Sequence, residues 1–255
     1  LSSIGSAVEI RGTVSESSSV LAWNAQNFAG FYYDIDNGLS SENLTITDTD
    51  ISDRSISENN LVYQTGKIPV NFSYYEDTGK LVDGKSSYDL VGWQAEKWIA
   101  LNGKANKLVK LITEFEGTEK VTLTSGGTLT LGSRYVLKIN SVDAHASPRQ
   151  AWVSIMKDGE TVDNAILQQS ELYNLQRNVG GEKDALVFSA YVSSIFSGTE
   201  SEMLQLQYIW LIDESTFVEI KSGNNYGIFD ATISGDSITL RNDGVISLSK
   251  DSKVD

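Results

Sequence analysis

The chain of 255 residues contains no cysteine, one histidine and two prolines. Without cysteine it has no thiol nucleophile, no thiolate metal ligand and no disulfide. A chain of this length suits one large or two ordinary domains, and it buries a sizeable core without covalent cross-links. The lack of disulfides therefore leaves an extracellular location open.

Positive charge is also scarce, because 20 lysines and arginines stand against 34 acidic residues, which gives a formal net charge of −14. Binding to nucleic acid requires clustered basic side chains that contact phosphates, so we expect no nucleic-acid partner. Docking on an anionic membrane surface is disfavoured for the same reason. We expect instead a hydrated surface that repels anionic solutes and attracts cations.

Long apolar runs are missing as well. The densest one, residues 208–212, has the length of a strand, far below the roughly 20 apolar residues that cross a bilayer as a helix. No signal peptide opens the chain, and its first residue is Leu1 rather than methionine. We therefore expect an excised or mature portion of a longer protein, with any membrane anchor outside this chain.

The apolar residues that are present alternate with polar ones in short segments. Examples are Tyr135, Leu137 and Ile139, and near the start of the chain Val8, Ile10 and Val14. Turn dipeptides punctuate these segments: Asn37-Gly38, Asp83-Gly84, Asn102-Gly103, Asp158-Gly159, Ser234-Gly235 and Asp243-Gly244. Alternation with such turns predicts an all-β fold of mainly antiparallel strands, arranged as sandwiches or barrels.

Helical signals are weak. Residues 166–177 could form one or two helical turns, and the stretch after Ala95 fits a helix or a strand about equally. Pro69 predicts a strand start or an edge strand, where no ladder donor is missed, and Pro148 predicts a loop.

Catalytic motifs are lacking. His145 is the one histidine, and no Gly-x-Ser-x-Gly segment supplies a nucleophile for it. A zinc site usually needs several His or Cys ligands. A glycosidase could act with two carboxylates alone, but nothing in the sequence selects a pair. We predict no catalytic residue and no enzymatic activity.

Two kinds of ligand site have candidates. Asp48, Asp50 and Asp53 form an acidic cluster that could bind Ca²⁺ weakly, although the glycine and glutamate of an EF-hand are absent; the alternative is a solvated acidic loop, and we expect no other cofactor. Six aromatic residues could stack against sugars, although core packing is the favoured interpretation: Tyr32, Tyr33, Tyr74, Tyr75, Trp93 and Trp98.

Two N-glycosylation sequons also occur, Asn43-Leu44-Thr45 and Asn71-Phe72-Ser73. In a secreted protein both asparagines would have to lie on the surface.

Several segments together resemble the duplicated surface-layer (S-layer) domain of Methanosarcina-type archaea. They are residues 8–14, 21–36, 91–98, 132–139, 157–159 and 226–229. The most specific is 27–36, which reads Asn-Phe-Ala-Gly-Phe-Tyr-Tyr-Asp-Ile-Asp. The similarity covers the whole chain as one repeat unit.

This resemblance implies a function. In that family a signal peptide precedes one or more such units, and an acidic stalk and a transmembrane anchor follow. Each unit has two β-sandwich domains, and the units tile into a porous coat. By this resemblance the chain is a secreted, glycosylated structural component of the cell-surface S-layer. It self-assembles into a negatively charged paracrystalline layer, with lattice neighbours and a tandem repeat of its parent chain as partners. The alternative is an extracellular carbohydrate-binding or adhesion module.

The resemblance also implies a discontinuous domain arrangement. One sandwich combines residues 1–115 with 216–255, and the other comprises residues 116–215. A sequential split near residue 116 remains open.

Overall fold

A computed structural model describes residues 21–48 and 54–248 of the chain. Strands dominate the described residues, which confirms the predicted all-β fold. The predicted strand around Val8, Ile10 and Val14 lies outside the described residues, as do Asp50 and Asp53.

The strands are numbered in chain order. They are β1 (Leu21–Asn24), β2 (Asn43–Ile46), β3 (Ser55–Ile56), β4 (Leu61–Gly66), β5 (Ile68–Asn71), β6 (Ser87–Trp93), β7 (Glu96–Ala100), β8 (Lys107–Glu114), β9 (Val121–Thr124), β10 (Thr128–Leu131), β11 (Tyr135–Asp143), β12 (Gln150–Lys157), β13 (Glu160–Gln168), β14 (Leu172–Val179), β15 (Glu182–Ser197), β16 (Glu202–Glu219), β17 (Asn225–Tyr226), β18 (Phe229–Ser234), β19 (Ser237–Asn242) and β20 (Ile246–Ser247). A helix α1 (Ser73–Thr78) and a 3₁₀ turn (Leu101–Gly103) complete the described elements.

The chain divides into two compact units, each built from separate segments. Unit 1 comprises Leu1–Val70, Asp89–Val109 and Phe217–Asp255, and unit 2 comprises Asn71–Tyr88 and Lys110–Thr216. Residues 71–88, 110–115 and 216, which the family resemblance places in the first domain, lie in unit 2.

Unit 1 contains a six-stranded antiparallel sheet in the order β1-β2-β4-β19-β18-β17. Strands β6, β7 and β8 form a second antiparallel set. Alternation places Tyr63 opposite both Leu44 and Leu240, so these residues share one face of the sheet. That face packs into the core of unit 1, where Val91 and Leu108 are also buried.

Unit 2 contains a four-stranded antiparallel sheet in the order β10-β11-β12-β13. A second antiparallel set pairs β14 with β15, β15 with β16, and β16 with β9. The inward side chains of both sets are fully buried, among them Leu137, Ile139, Val153, Phe188 and Leu206. In β11, Tyr135, Leu137 and Ile139 are buried and the two residues between them are not, as the apolar alternation predicts.

The structure corrects the helix predicted for residues 166–177 and decides the conformation of the stretch after Ala95, for which the sequence leaves helix and strand both open. Residues 166–177 are not helical; they belong to β13 and β14, which pair with β12 and β15. The stretch after Ala95 forms β7 and then the 3₁₀ turn. A short helix, α1, occurs where none is predicted and ends at Gly79, whose positive φ of 68° suits a helix end.

Both prolines lie where the sequence predicts. Pro69 is in the short strand β5, which ends its sheet, and Pro148 is in the loop between β11 and β12.

Candidate functional site

His145 lies in the loop between β11 and β12, and its side chain is 81% exposed. The Nε2 atom is 3.8 Å from Oε1 of Glu202. The backbone N–H groups of His145 and Ala146 both donate to Oδ1 of Asp143, so the residue follows a local turn. This is the setting of a solvated loop residue.

Asp48 uses both carboxylate oxygens within the protein. Oδ2 accepts a hydrogen bond from the backbone N–H of Ser57 at 2.5 Å, and Oδ1 accepts one from Nδ2 of Asn60 at 3.0 Å. In residues 21–48 and 54–248, no group of three or more His, Asp or Glu side chains is arranged to hold a metal ion. Asp48 therefore stabilises the loop between β3 and β4, and Ca²⁺ binding stays a prediction.

The segment 27–36, the most specific part of the resemblance, is a series of turns rather than a strand. Oδ1 of Asp34 accepts hydrogen bonds from the backbone N–H groups of Asp36 and Asn37, both at 3.1 Å. Partial burial acts to raise the pKa of Asp34, but these hydrogen bonds and nearby Lys97 lower that pKa below its usual value. The acidic residue thus fixes its own turn.

The six sugar-stacking candidates do not form one exposed platform. Trp93 and Tyr74 are buried, whereas Tyr32, Tyr33, Tyr75 and Trp98 are half-buried. Trp93 packs edge-on against Tyr63 and Tyr226 in unit 1. Tyr74 packs against Tyr191 and Tyr208 in unit 2. Core packing, the favoured interpretation, accounts for both buried rings.

An apolar groove of about 500 Å³ opens in unit 1, and none of the six candidates lines it. Its walls come from residues far apart in the chain: Phe31, Leu44, Tyr63, Gln94, Tyr226, Gly227, Phe229 and Leu240. Most of these residues are ordinary members of alternating strands. No sequence pattern predicts the groove, because only the order of the strands in the sheet brings these residues together.

Glu42 is a buried carboxylate beside this groove, with 1% of its surface exposed. Oε1 accepts hydrogen bonds from the hydroxyl of Tyr63 at 2.8 Å and from the backbone N–H of Ala95 at 3.0 Å. Oε2 accepts one from the backbone N–H of Tyr32 at 2.6 Å. One carboxylate thus joins strand β4, the turn between β6 and β7, and the segment leading into β2.

The turn that offers the Ala95 N–H has an uncommon backbone. Gln94 and Ala95 both have positive φ angles, 51° and 66°. Two successive residues of this kind form the tight hairpin turn that matches the twist of the flanking strands. The hydrogen bond to Glu42 therefore stabilises a conformation that non-glycine residues seldom adopt.

Several tyrosines are held in their neutral form. Burial raises the pKa of Tyr63, and the adjacent Glu42 carboxylate raises it further. Burial and a hydrogen bond to Asp163 raise the pKa of Tyr173. Burial, with a contribution from Asp34, raises the pKa of Tyr32 to about 12.

These shifts predict a loss of stability in alkali. A group whose folded pKa exceeds its unfolded value stabilises the fold fully below the unfolded pKa, which for tyrosine is about 10. We expect the urea midpoint of unfolding to fall as the pH rises above about 10, with a shallower fall in Tyr63→Phe. Circular dichroism with tyrosinate absorbance measures this. A midpoint that stays constant between about pH 9 and 12 would contradict it.

A charged network lies between the two strand sets of unit 2. Nζ of Lys157 on β12 is 2.9 Å from Oε1 of Glu214 on β16, and both side chains are about one-seventh exposed or less. Nε of Arg177 on β14 is 3.4 Å from Oε2 of the same carboxylate. Lys157 also lies 5.3 Å from the ring centroid of Tyr135. Burial acts to lower the pKa of Lys157, but the hydrogen bonds and charges of Glu214 and Tyr135 together outweigh that effect, and the pKa is raised.

Both sequon asparagines are exposed. Asn43 is the first residue of β2, and Asn71 is the last residue of β5. Glycosylation of either residue stays a prediction.

Within the part of the chain that the structure describes, no helix has the length and apolar character needed to span a membrane.

Comparison with known proteins shows the family to which the chain belongs. A family model described as S-layer protein matches residues 11–255. The Major S-layer protein of Methanosarcina acetivorans is 33% identical over 96% of this chain and 36% of its own length. That of Methanosarcina barkeri is 32% identical over 98% of the chain and 38% of its length. That of Methanosarcina mazei is 33% identical over 97% of the chain and 36% of its length.

The chain thus spans little more than a third of the length of these curated relatives. The match to the family model covers nearly the whole chain, and it agrees with the resemblance carried by segments such as 27–36. The chain belongs to the S-layer protein family.

Proposed function

We propose that this chain is a structural unit of a cell-surface S-layer and that it is not an enzyme. The single observation that carries the proposal is the family match over residues 11–255, together with three relatives named Major S-layer protein. The all-β framework and the solvated setting of His145 agree with a structural role.

The proposed mechanism is assembly with copies of itself and with neighbouring units of its parent chain. A stable isolated interface buries on the order of 1,600 Å² in total. A layer can use smaller contacts, because each unit makes several of them and the contacts act together. With a net charge of −14 per chain, the assembled coat would exclude anions from its pores more than cations.

We expect assembly to depend on salt. Neighbouring chains of charge −14 repel one another, and this repulsion acts over about 10 Å at 0.1 M salt but only about 3 Å at 1 M. Analytical ultracentrifugation and negative-stain microscopy at high protein concentration should show larger species or ordered sheets as salt increases. Ca²⁺ tested against NaCl of equal ionic strength separates specific binding from screening. The same species at low and high salt would contradict the proposal.

A carbohydrate-binding module is the alternative function, and the structure does not favour it. Such a module needs exposed aromatic rings in one plane, whereas Trp93 and Tyr74 are buried and the other four candidates only half-exposed. A glycan array tests it directly, and strong selective binding of one sugar would bring this alternative forward.

A further inference from the structure

The outer face of the four-stranded sheet of unit 2 carries two large exposed apolar side chains. Trp152 on β12 is 49% exposed and Ile166 on β13 is 65% exposed. The two residues are directly opposite in the antiparallel register, so their side chains lie side by side on the same face. Their neighbours Ala151 and Leu167 point the other way and are buried. The pair therefore exposes apolar surface to water, and this surface takes no part in the core of unit 2.

A ladder of polar side chains orders the surface next to this pair. Nδ2 of Asn140 on β11 donates to Oγ of Ser154 on β12 at 2.6 Å. Oγ of Ser154 in turn donates to Oδ1 of Asn164 on β13 at 2.6 Å. Ser154 lies two residues from Trp152, and Asn164 two residues from Ile166, so the ladder shares their face. Its members bond one another, which fixes their side chains and leaves the face ordered before any partner arrives.

The same face is electrically neutral. Lys138 of β11 lies opposite Ser154, and Asp143 of β11 lies opposite Gln150 of β12. These two are the charged residues among the paired outward positions of β11 and β12, whereas the chain as a whole carries −14. Two copies that approach through this face avoid most of the repulsion that other approaches would meet.

We propose that this face, centred on Trp152 and Ile166, is a surface through which two copies of the chain associate. The proposal rests on the proposed S-layer function and names the contact that function requires. A copy of the chain fits because the pair is self-complementary. Under a two-fold axis, Trp152 of one copy packs on Ile166 of the other, and the reverse contact forms at the same time.

The size of the face sets the strength of the contact. Strands β11, β12 and β13 have 9, 8 and 9 residues and β10 has 4. At a strand spacing of about 4.8 Å and a rise of about 3.3 Å per residue, the face measures roughly 400 to 450 Å². A stable isolated dimer buries about 800 Å² on each partner. This contact alone is therefore weak, as a lateral contact in a layer can be, and its detection calls for a method that traps transient pairs.

Disulfide trapping suits this chain because it contains no cysteine of its own. Ser141 is exposed and lies opposite Trp152 on the neighbouring strand. In Ser141→Cys we expect mild oxidation to yield cross-linked dimer severalfold faster than in Ser57→Cys, whose cysteine is on an exposed loop of unit 1. Equal rates for the two variants would overturn the proposal.

A charge substitution gives the second readout. Ile166→Lys should reduce the cross-linking of Ser141→Cys and the salt-induced larger species severalfold. The matched control is Ile35→Lys, because Ile35 is 82% exposed in unit 1, and it should leave both unchanged. Thermal melts that match the parent chain show that neither lysine disturbs the fold.

The outcomes separate the two proposals. If Ile166→Lys assembles as the parent chain does and residue 141 shows no preferential cross-linking, this face is not a contact surface, and the proposed S-layer function still stands. If residue 141 cross-links but no larger assembly forms, the result supports the face as a contact between two copies and counts against the S-layer function. A change in tryptophan fluorescence on adding soluble sugars that is lost in Trp152→Phe, without cross-linking at residue 141, would overturn the face as a self-contact and indicate a glycan surface.

Discussion

Replacing Glu42 by alanine should lower the free energy of unfolding of unit 1 by about 3 kcal/mol. Three donors now bond to this carboxylate: the Tyr63 hydroxyl and the backbone N–H groups of Tyr32 and Ala95. Each buried donor left without an acceptor costs about 1 to 3 kcal/mol, and water entering the space left by the side chain offsets part of the total. Urea unfolding followed by fluorescence measures the loss as a shift of the midpoint.

Two variants test the explanation of this loss. Glu58→Ala removes an exposed glutamate of the same unit and should leave the midpoint nearly unchanged. Tyr63→Phe removes one donor, while the Ala95 N–H still bonds to Oε1, so its loss should be smaller than that of Glu42→Ala. Because Glu42 and Tyr63 contact each other, the double variant should lose less than the sum of the single variants. A midpoint for Glu42→Ala equal to that of Glu58→Ala would refute the role assigned to Glu42.

Replacing Glu214 by alanine should destabilise unit 2 by about 3 kcal/mol, since removal of one partner leaves Lys157 mostly buried and without its carboxylate. Arg177 loses the same partner, although its guanidinium is more exposed and water compensates for it better. The measurement is again the urea midpoint, followed through the signal of unit 2. Because the chain has two units, this signal need not coincide with that of unit 1.

The matched test removes both charges of the central pair. In Lys157→Met with Glu214→Leu, apolar side chains of similar size replace the pair and no unpaired charge remains from it. Such replacements of buried ion pairs are often neutral or stabilising, so the double variant should recover most of the loss. Arg134→Ala breaks an exposed ion pair with Asp158 and should have little effect on the midpoint. A double variant as unstable as Glu214→Ala alone would show that the loss comes from packing rather than from charge.

The sequence predicts the strands well and the polar sites poorly. Alternation at Tyr135, Leu137 and Ile139 identifies a strand because burial of one sheet face imposes a period of two. Residues 166–177 mislead because leucine and glutamine favour helices in isolation, whereas pairing with β12 and β15 decides their conformation. Helix α1 has too few residues for a helical period to be visible.

Glu42 shows why a site that tertiary structure assembles cannot be predicted from the sequence. It is one of 34 acidic residues, and its donors lie 10, 21 and 53 positions away along the chain. Neither local pattern nor motif connects these positions. The exposed pair Trp152 and Ile166 cannot be predicted from the sequence for a similar reason. Alternation shows which residues of a strand share a face, but it does not show which of the two faces is buried.

Unit 1 is built from segments near the start and near the end of the chain, and this arrangement affects the order in which the two units fold during synthesis. Strand β4 pairs with β19, which joins residues near position 63 to residues near position 240. Every segment of unit 2 precedes residue 217, so a growing chain contains all of unit 2 before it contains the strands that complete the sheet of unit 1. Contacts this distant in sequence form only after a long loop has closed. Unit 2 can thus fold while synthesis continues, whereas the sheet of unit 1 closes only when the chain is nearly complete, and a chain that ends early loses unit 1 first.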